Sequence, residues 1–159
     1  MYYSLGEIID IAVGIEEAGS EYYALCAKKF ADPAIGDTFA YLAREELVHR
    51  DRFRSLRGEA GASGGAYPEE YFSYLRIIGG VKIFETKKRA LEDVMKDIQN
   101  PLDAVREAFD VEKTSIIYYT EMKELYHGRT GIAALLDAII AEERKHIMSL
   151  YELSQNLRL

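Results

Sequence analysis

The sequence contains two copies of a Glu-x-x-His pattern, each preceded by a further glutamate about 30 residues upstream. The six residues are Glu16, Glu46 and His49 in the first copy and Glu112, Glu143 and His146 in the second. Residues three apart on a helix lie on one face, so the glutamate and histidine of each pair can bind the same metal ion. Four carboxylates and two imidazoles are a suitable ligand set for two metal ions.

The apolar surroundings of these residues distinguish them from ordinary surface glutamates. Glu16 lies between Ala12 and Gly19 in an apolar stripe with helical spacing, and the other five residues occupy similar positions in their own stripes. All six side chains are therefore expected to point into the protein. Buried carboxylates are costly and repel one another unless cations compensate their charge. Two divalent ions would balance four carboxylates, with both histidines neutral.

The donor set also bears on the identity of the metal. One imidazole among several carboxylates favours iron or manganese over zinc or copper, although zinc remains possible. The alternative interpretation is a set of buried salt bridges without metal. The repetition of the pattern on matched helices favours the metal site.

Several polar residues near these six are weaker candidates. Tyr23 and Tyr119 each lie seven residues after an upstream glutamate, and core packing is preferred over hydrogen bonding to the ligands or electron transfer. His127 is interpreted as a charge partner for a helix C-terminus. Three glutamates lie about 100° from the ligand face and are expected in solvent or beside the ligands. They are Glu17, Glu45 and Glu142.

Helical periodicity and capping residues predict four long helices. Their expected bounds are Ser4 to about Phe30, Pro33 to about Gly58, Pro101 to Gly128, and from Thr130 onward. Phe109 and Ile116 are expected on the core face of the third helix. Short connections make each consecutive pair of helices an antiparallel hairpin. The hairpins look like an internal repeat, because a shift of 96 residues maps Glu16 onto Glu112 and a shift of 97 maps Glu46 onto Glu143.

Residues 58–100 connect the two hairpins and are too long for a structureless loop in a compact domain. Helical spacing at residues 67–78 and 81–98, interrupted at Gly79 and Gly80, predicts one or two extra helices. The predicted fold class is all-α, with one domain over residues 1–159. It is a four-helix bundle of two antiparallel hairpins joined by a long, partly helical crossover. The glycine-rich start of the crossover could permit hairpin exchange, so a homodimer is expected.

Composition limits the other function classes. The net charge of −7 argues against nucleic acid as a partner. The single cysteine, Cys26, is interpreted as a small core residue, and without a Cys-x-x-Cys pair the chain has no iron–thiolate motif. No segment approaches the roughly 20 apolar residues that span a bilayer, so no membrane partner is expected. These features together predict a cytoplasmic location.

The six residues and the two tyrosines resemble the rubrerythrin branch of the ferritin-like superfamily, over most of residues 4–58 and 100–157. The resemblance implies a ferritin-like di-iron site. In that family the Glu-x-x-His glutamates, here Glu46 and Glu143, bridge two iron ions. The upstream glutamates would be terminal ligands, and each histidine would bind one iron. Family members reduce hydrogen peroxide or dioxygen, and related ferritins oxidise ferrous iron.

Two departures from the family pattern shape the expected function. The chain has no rubredoxin-like iron–cysteine motif, so an external electron donor such as a rubredoxin-like protein is required. Ser115 occupies the position of an extra glutamate in the family, which implies a simpler, symmetric site. The resemblance therefore implies an oxidoreductase of the oxidative-stress response, acting on hydrogen peroxide or dioxygen. Ferrous iron oxidation or iron handling, and a non-enzymatic metal-binding module, remain alternatives.

Overall fold

The structure is a computed structural model that describes residues 2–60, 66–78, 89–126 and 130–158. Its helices are α1 (Leu5–Lys29), α2 (Pro33–Ala60), α3 (Glu69–Ile78), α4 (Arg89–Asp97), α5 (Pro101–Leu125) and α6 (Thr130–Asn156). The predicted all-α bundle of two hairpins and a partly helical crossover is confirmed. His127, the helix end at Gly128 and the break at Gly79 and Gly80 lie outside the described residues.

Two predicted details are corrected. Tyr67 was placed at the start of a helix, but it lies in β2 (Ala66–Pro68), which pairs antiparallel with β1 (Tyr2–Ser4). Phe109 and Ile116, expected on the core face of α5, are only half-buried and pack against the buried core. The fully buried positions of α5 include the small Ala108 and Ser115 as well as the large Tyr118 and Tyr119.

Side-chain caps fix the starts of two bundle helices. The backbone N–H of Ser4 donates to Glu7 Oε2 at 2.7 Å, and the N–H of Glu7 donates to Ser4 Oγ at 3.3 Å. This is the predicted capping box. Asn100 Oδ1 accepts from the N–H groups of Leu102 and Asp103 at 2.9 and 3.1 Å. Caps of this kind stabilise a helix by about 1 kcal/mol each.

The two hairpins are joined by a reciprocal pair of hydrogen bonds between α1 and α5. Tyr22 donates its hydroxyl to the carbonyl of Ala104, and Tyr118 donates to the carbonyl of Ile8, both at 2.8 Å. The donors are 96 residues apart, and so are the acceptors. The same shift relates the two hairpins in sequence, so the structure places the two copies about a pseudo-twofold axis.

The apolar core consists of two clusters, and each of the four bundle helices contributes to both. On α1 the change from one cluster to the other falls between Ile15 and Tyr22, and on α6 it falls between Ile140 and Leu150. The helices α3 and α4 cover opposite ends, with Leu75 in one cluster and residues of α4 packed against the other. A layer of other side chains therefore separates the two apolar halves at the middle of the bundle.

No helix within residues 2–60, 66–78, 89–126 and 130–158 is long and apolar enough to cross a bilayer.

Gly36 allows α2 to turn back closely against α1, and this close approach can be tested. A Cβ atom at Gly36 would lie 2.9 Å from the carbonyl oxygen of Phe30, which is backbone and cannot move aside easily. We expect Gly36→Ala to lower the free energy of unfolding by about 1–3 kcal/mol. Gly58→Ala is the matched control, because nothing lies within 4 Å of its added Cβ. Urea denaturation of both variants measures the difference, and equal stability would contradict the steric argument.

Candidate metal centre

All six residues of the repeated pattern lie together in the layer between the two apolar clusters. They come from the middle of α1, α2, α5 and α6, and each is at most 1% exposed. They are Glu16, Glu46, His49, Glu112, Glu143 and His146. Helical spacing produces this meeting, because each residue continues the buried stripe of its own helix.

The six residues form two overlapping groups. Within each group the ligand atoms lie within 4.8 Å of one another. The His49 group is Glu16, Glu46, His49 and Glu143, and the His146 group is Glu46, Glu112, Glu143 and His146. Glu46 and Glu143 are common to both groups. Each group also contains residues from both hairpins, so neither hairpin holds a complete group alone.

Both histidines direct Nδ1 towards the carboxylates. His49 Nδ1 lies 3.1 Å from Glu143 Oε1, and His146 Nδ1 lies 3.0 Å from Glu143 Oε2. The two imidazole rings stack with centroids 5.5 Å apart and planes at 22°. This arrangement leaves Nε2 of each ring on the outer side of the cluster.

Tyr23 and Tyr119 do more than pack in the core. Tyr23, on α1, donates its hydroxyl to Glu112 Oε1 at 2.5 Å, and Tyr119, on α5, donates to Glu16 Oε1. The preferred interpretation of core packing was therefore incomplete, although both side chains are fully buried. Burial and the adjacent charge of Glu112 raise the pKa of Tyr23, so its hydroxyl keeps the proton that it donates.

The remaining oxygens of these two glutamates have no such partner. Within the cluster, five buried side-chain atoms form no hydrogen bond. They are Glu16 Oε2, Glu46 Oε1, Glu112 Oε2, Glu143 Oε1 and His49 Nδ1. Buried polar atoms without a hydrogen bond are costly in a protein interior. All five belong to the cluster, and a pair of bound cations would satisfy them, so the residues present fit a two-metal centre.

The electrostatics of the cluster agree with this fit. Burial raises the pKa of Glu16, and the negative charges of Glu46 and Glu143 raise it further. Burial also raises the pKa of Glu112, to about 8, although a hydrogen bond with His146 opposes the shift. Burial lowers the pKa of His146, but the adjacent carboxylates of Glu112, Glu143 and Glu46 outweigh it and the net shift is upward. Without a cation, the cluster therefore holds protons that a metal must displace.

The neighbouring glutamates differ in their roles. Glu142 Oε2 lies 2.8 Å from His49 Nε2 and 2.5 Å from a guanidinium nitrogen of Arg52. Burial alone would raise the pKa of Glu142, but the hydrogen bonds with Arg52 and His49 lower it. Glu17 instead pairs with Arg54 at 2.6 Å on the surface. The sequence did not indicate Arg52, although its position three residues after His49 on the same helix was a usable signal.

Comparison with known families agrees with this geometry. The rubrerythrin family model matches residues 7–97, which is more than half of the chain. The chain belongs to the rubrerythrin family. The match includes Glu16, Glu46 and His49, whereas the other three residues of the cluster lie on α5 and α6, beyond the matched segment. No curated protein matches the chain at a significant level.

Membership of the rubrerythrin family and the buried cluster together indicate a carboxylate metal site. For the second hairpin, which lies beyond the matched segment, the metal site is supported by the repeated sequence pattern and by the structure. The pseudo-twofold repeat explains why the same set of ligands, three glutamates and one histidine, occurs twice.

Gly19 leaves room for Glu46, and this gives a test of the site. A Cβ atom at Gly19 would lie 3.0 Å from Glu46 Oε2, closer than an ordinary contact. We expect Gly19→Ala to weaken manganese(II) binding by about 10-fold or more, because Glu46 belongs to both groups and must shift. Titration calorimetry measures the affinity, with Gly58→Ala as the control that leaves it unchanged. Unchanged affinity in Gly19→Ala would show that Glu46 does not need this space.

Proposed function

We propose that this chain is a di-iron carboxylate oxidoreductase that reduces hydrogen peroxide or dioxygen with electrons from an external donor such as a rubredoxin-like protein. The observation that supports it most is the sharing of Glu46 and Glu143 between the two ligand groups. Two ions bound by overlapping groups would lie close enough to act on one O–O bond. When bound, the two irons would supply one electron each to that bond.

The proposed role of each ligand follows from the group or groups to which it belongs. Glu46 and Glu143, which belong to both groups, would contribute to both metal positions. Glu16 and His49 would complete one group, and Glu112 and His146 the other. These assignments agree with the direction of Nδ1 in both imidazoles.

The tyrosines would orient the two terminal glutamates. Each hydroxyl donates to Oε1 of a glutamate, and in both cases it is Oε2 that has no hydrogen bond within the described residues. The hydrogen bond therefore fixes which oxygen faces the centre. Because each tyrosine is on the opposite hairpin from its glutamate, the two halves orient each other.

The apolar clusters on either side would limit the access of water. Fully buried side chains, including Ile15 and Phe53 in one cluster and Leu42 and Leu150 in the other, flank the ligands along the helices. A dry surrounding strengthens the interaction between carboxylates and cations. It would also keep a reduced centre from side reactions with solvent.

Anaerobic loading with iron followed by an oxidant challenge tests the proposal. We expect two irons per chain and rapid oxidation of both by one equivalent of hydrogen peroxide, followed by stopped-flow absorbance. Glu46→Gln should lose this reaction because it removes a shared ligand. Glu17→Gln should retain it, because Glu17 lies on the surface in an ion pair with Arg54.

Other outcomes of the same experiment separate the alternatives. Continued oxidation of added ferrous iron by dioxygen, far beyond two irons per chain, would support iron handling instead. Tight iron binding without oxidation by either oxidant would contradict the oxidoreductase proposal and favour a metal-binding module.

Metal binding should depend on pH in a defined direction. The pKa of Glu112 is raised from 4.5 to about 8, so the folded, metal-free chain holds this proton more tightly than the unfolded chain does. Its contribution to the stability of the metal-free protein is thus present at low pH and lost as pH rises through about 8. Metal must displace the proton, so binding strengthens over the same range.

We therefore expect the stabilisation by manganese(II) to grow between pH 6 and pH 8. Thermal unfolding with and without the ion, at several pH values, measures this as a widening difference in Tm. Glu17→Gln should behave as the wild type. A metal-induced shift of the same size at every pH would contradict the role of Glu112 as a protonated ligand.

A further inference from the structure

The pseudo-twofold repeat makes the two ligand groups a matched pair, which allows their surroundings to be compared position by position. Each group has three glutamates and one histidine, with Nδ1 facing inward. Each terminal glutamate accepts a hydrogen bond from a tyrosine of the other hairpin. The ligands and their tyrosine partners are thus equivalent, and a difference between the groups must come from outside this set.

The first difference is the partner of the outer imidazole nitrogen. His49 Nε2 lies 2.8 Å from Glu142 Oε2, and Arg52 donates to the same oxygen at 2.5 Å. The repeat-related residues for the other histidine are Glu45 and Ser149, 97 positions away from Glu142 and Arg52. Within the described residues, no hydrogen bond joins Glu45 to His146, and Ser149 cannot supply a guanidinium group.

His146 instead has an aromatic ring beside it. Tyr41 lies edge-on to His146, with ring centroids 6.3 Å apart and planes at 86°. Tyr41 is 42% exposed, and its repeat-related position is Ala138. The pair of residues that holds His49 is ionic, whereas the contact to His146 is a weak ring contact.

A carboxylate on the outer nitrogen has two effects on a metal-binding histidine. It keeps the proton on Nε2, so that the lone pair of Nδ1 points to the metal, and it makes the imidazole a stronger donor. Arg52 holds Glu142 in this position, because its guanidinium group donates to the same carboxylate oxygen. Within the described residues, the outer nitrogen of His146 has no carboxylate or arginine partner of this kind.

We propose that the two metal positions are unequal, with the His49 group binding a divalent ion more tightly than the His146 group. Glu142 and Arg52 are the positioning residues that cause the difference. This inference rests on the proposed metal-binding function. Removal of such an outer partner typically costs about 10–100-fold in metal affinity.

Reciprocal variants isolate the two positions. In the full chain, His146→Ala leaves the His49 group intact, and His49→Ala leaves the His146 group intact. Calorimetric titration with cobalt(II) alone should give an affinity about 10–100-fold higher for His146→Ala than for His49→Ala. Circular dichroism of the metal-free variants checks that both remain folded.

The positioning residues are then tested in these two backgrounds. Glu142→Gln, added to His146→Ala, should lower the cobalt(II) affinity by about 10–100-fold, and Arg52→Met should lower it in the same direction. Both side chains are partly exposed, at 28% and 36%, so these substitutions are compatible with folding. Glu45→Gln, added to His49→Ala, is the repeat-related control and should leave the affinity unchanged.

The outcomes separate this inference from the proposed function. Equal affinities in the reciprocal variants, or no effect of Glu142→Gln, would overturn the inequality and leave the two-metal centre in place. If Glu142→Gln lowered the cobalt(II) affinity equally in His146→Ala and in His49→Ala, its effect would be merely structural, and the proposed inequality would also be overturned. Absence of cobalt(II) binding to the wild type would overturn the metal-binding function and the inference with it.

Discussion

The mutual repulsion of four carboxylates in a dry interior is the constraint on which the structure depends. Glu16, Glu46, Glu112 and Glu143 are each at most 1% exposed, and they form two overlapping groups in which the ligand atoms lie within 4.8 Å of one another. Two histidines alone cannot neutralise four negative charges. The chain can keep this layer only by holding protons there or by binding cations. The pKa values of Glu16 and Glu112 are raised, which shows that the metal-free layer tends to hold protons.

The fold supplies the rigidity that this layer needs. Apolar clusters lie above and below it, and all four bundle helices take part in both clusters. The hairpins are tied by two reciprocal tyrosine–carbonyl bonds, and the ligands by two reciprocal tyrosine–glutamate bonds. Each bond has a partner related by a shift of 96 residues. The same pseudo-twofold relation therefore applies to the contacts between the hairpins and to the contacts of the ligands.

The sequence predicts those parts of the site that depend on spacing within one helix. Glu46 and His49 must share a face because they are three residues apart, and Ser4 and Asn100 mark helix starts through local hydrogen bonds. The features that the sequence left open or did not indicate depend on distances between helices. The tyrosine bonds cross from one hairpin to the other, and the contact of Arg52 with Glu142 joins α2 to α6.

The division of ligands between hairpins implies that metal binding and folding are coupled. The His49 group needs Glu143 from the second hairpin, and the His146 group needs Glu46 from the first. A bound metal therefore adds links between hairpins that otherwise touch mainly through apolar side chains and hydrogen bonds. Because the unfolded chain has no preformed site, the binding free energy adds to the stability of the assembled bundle. The same glutamates that destabilise the metal-free interior thus hold the two halves together once their charge is balanced.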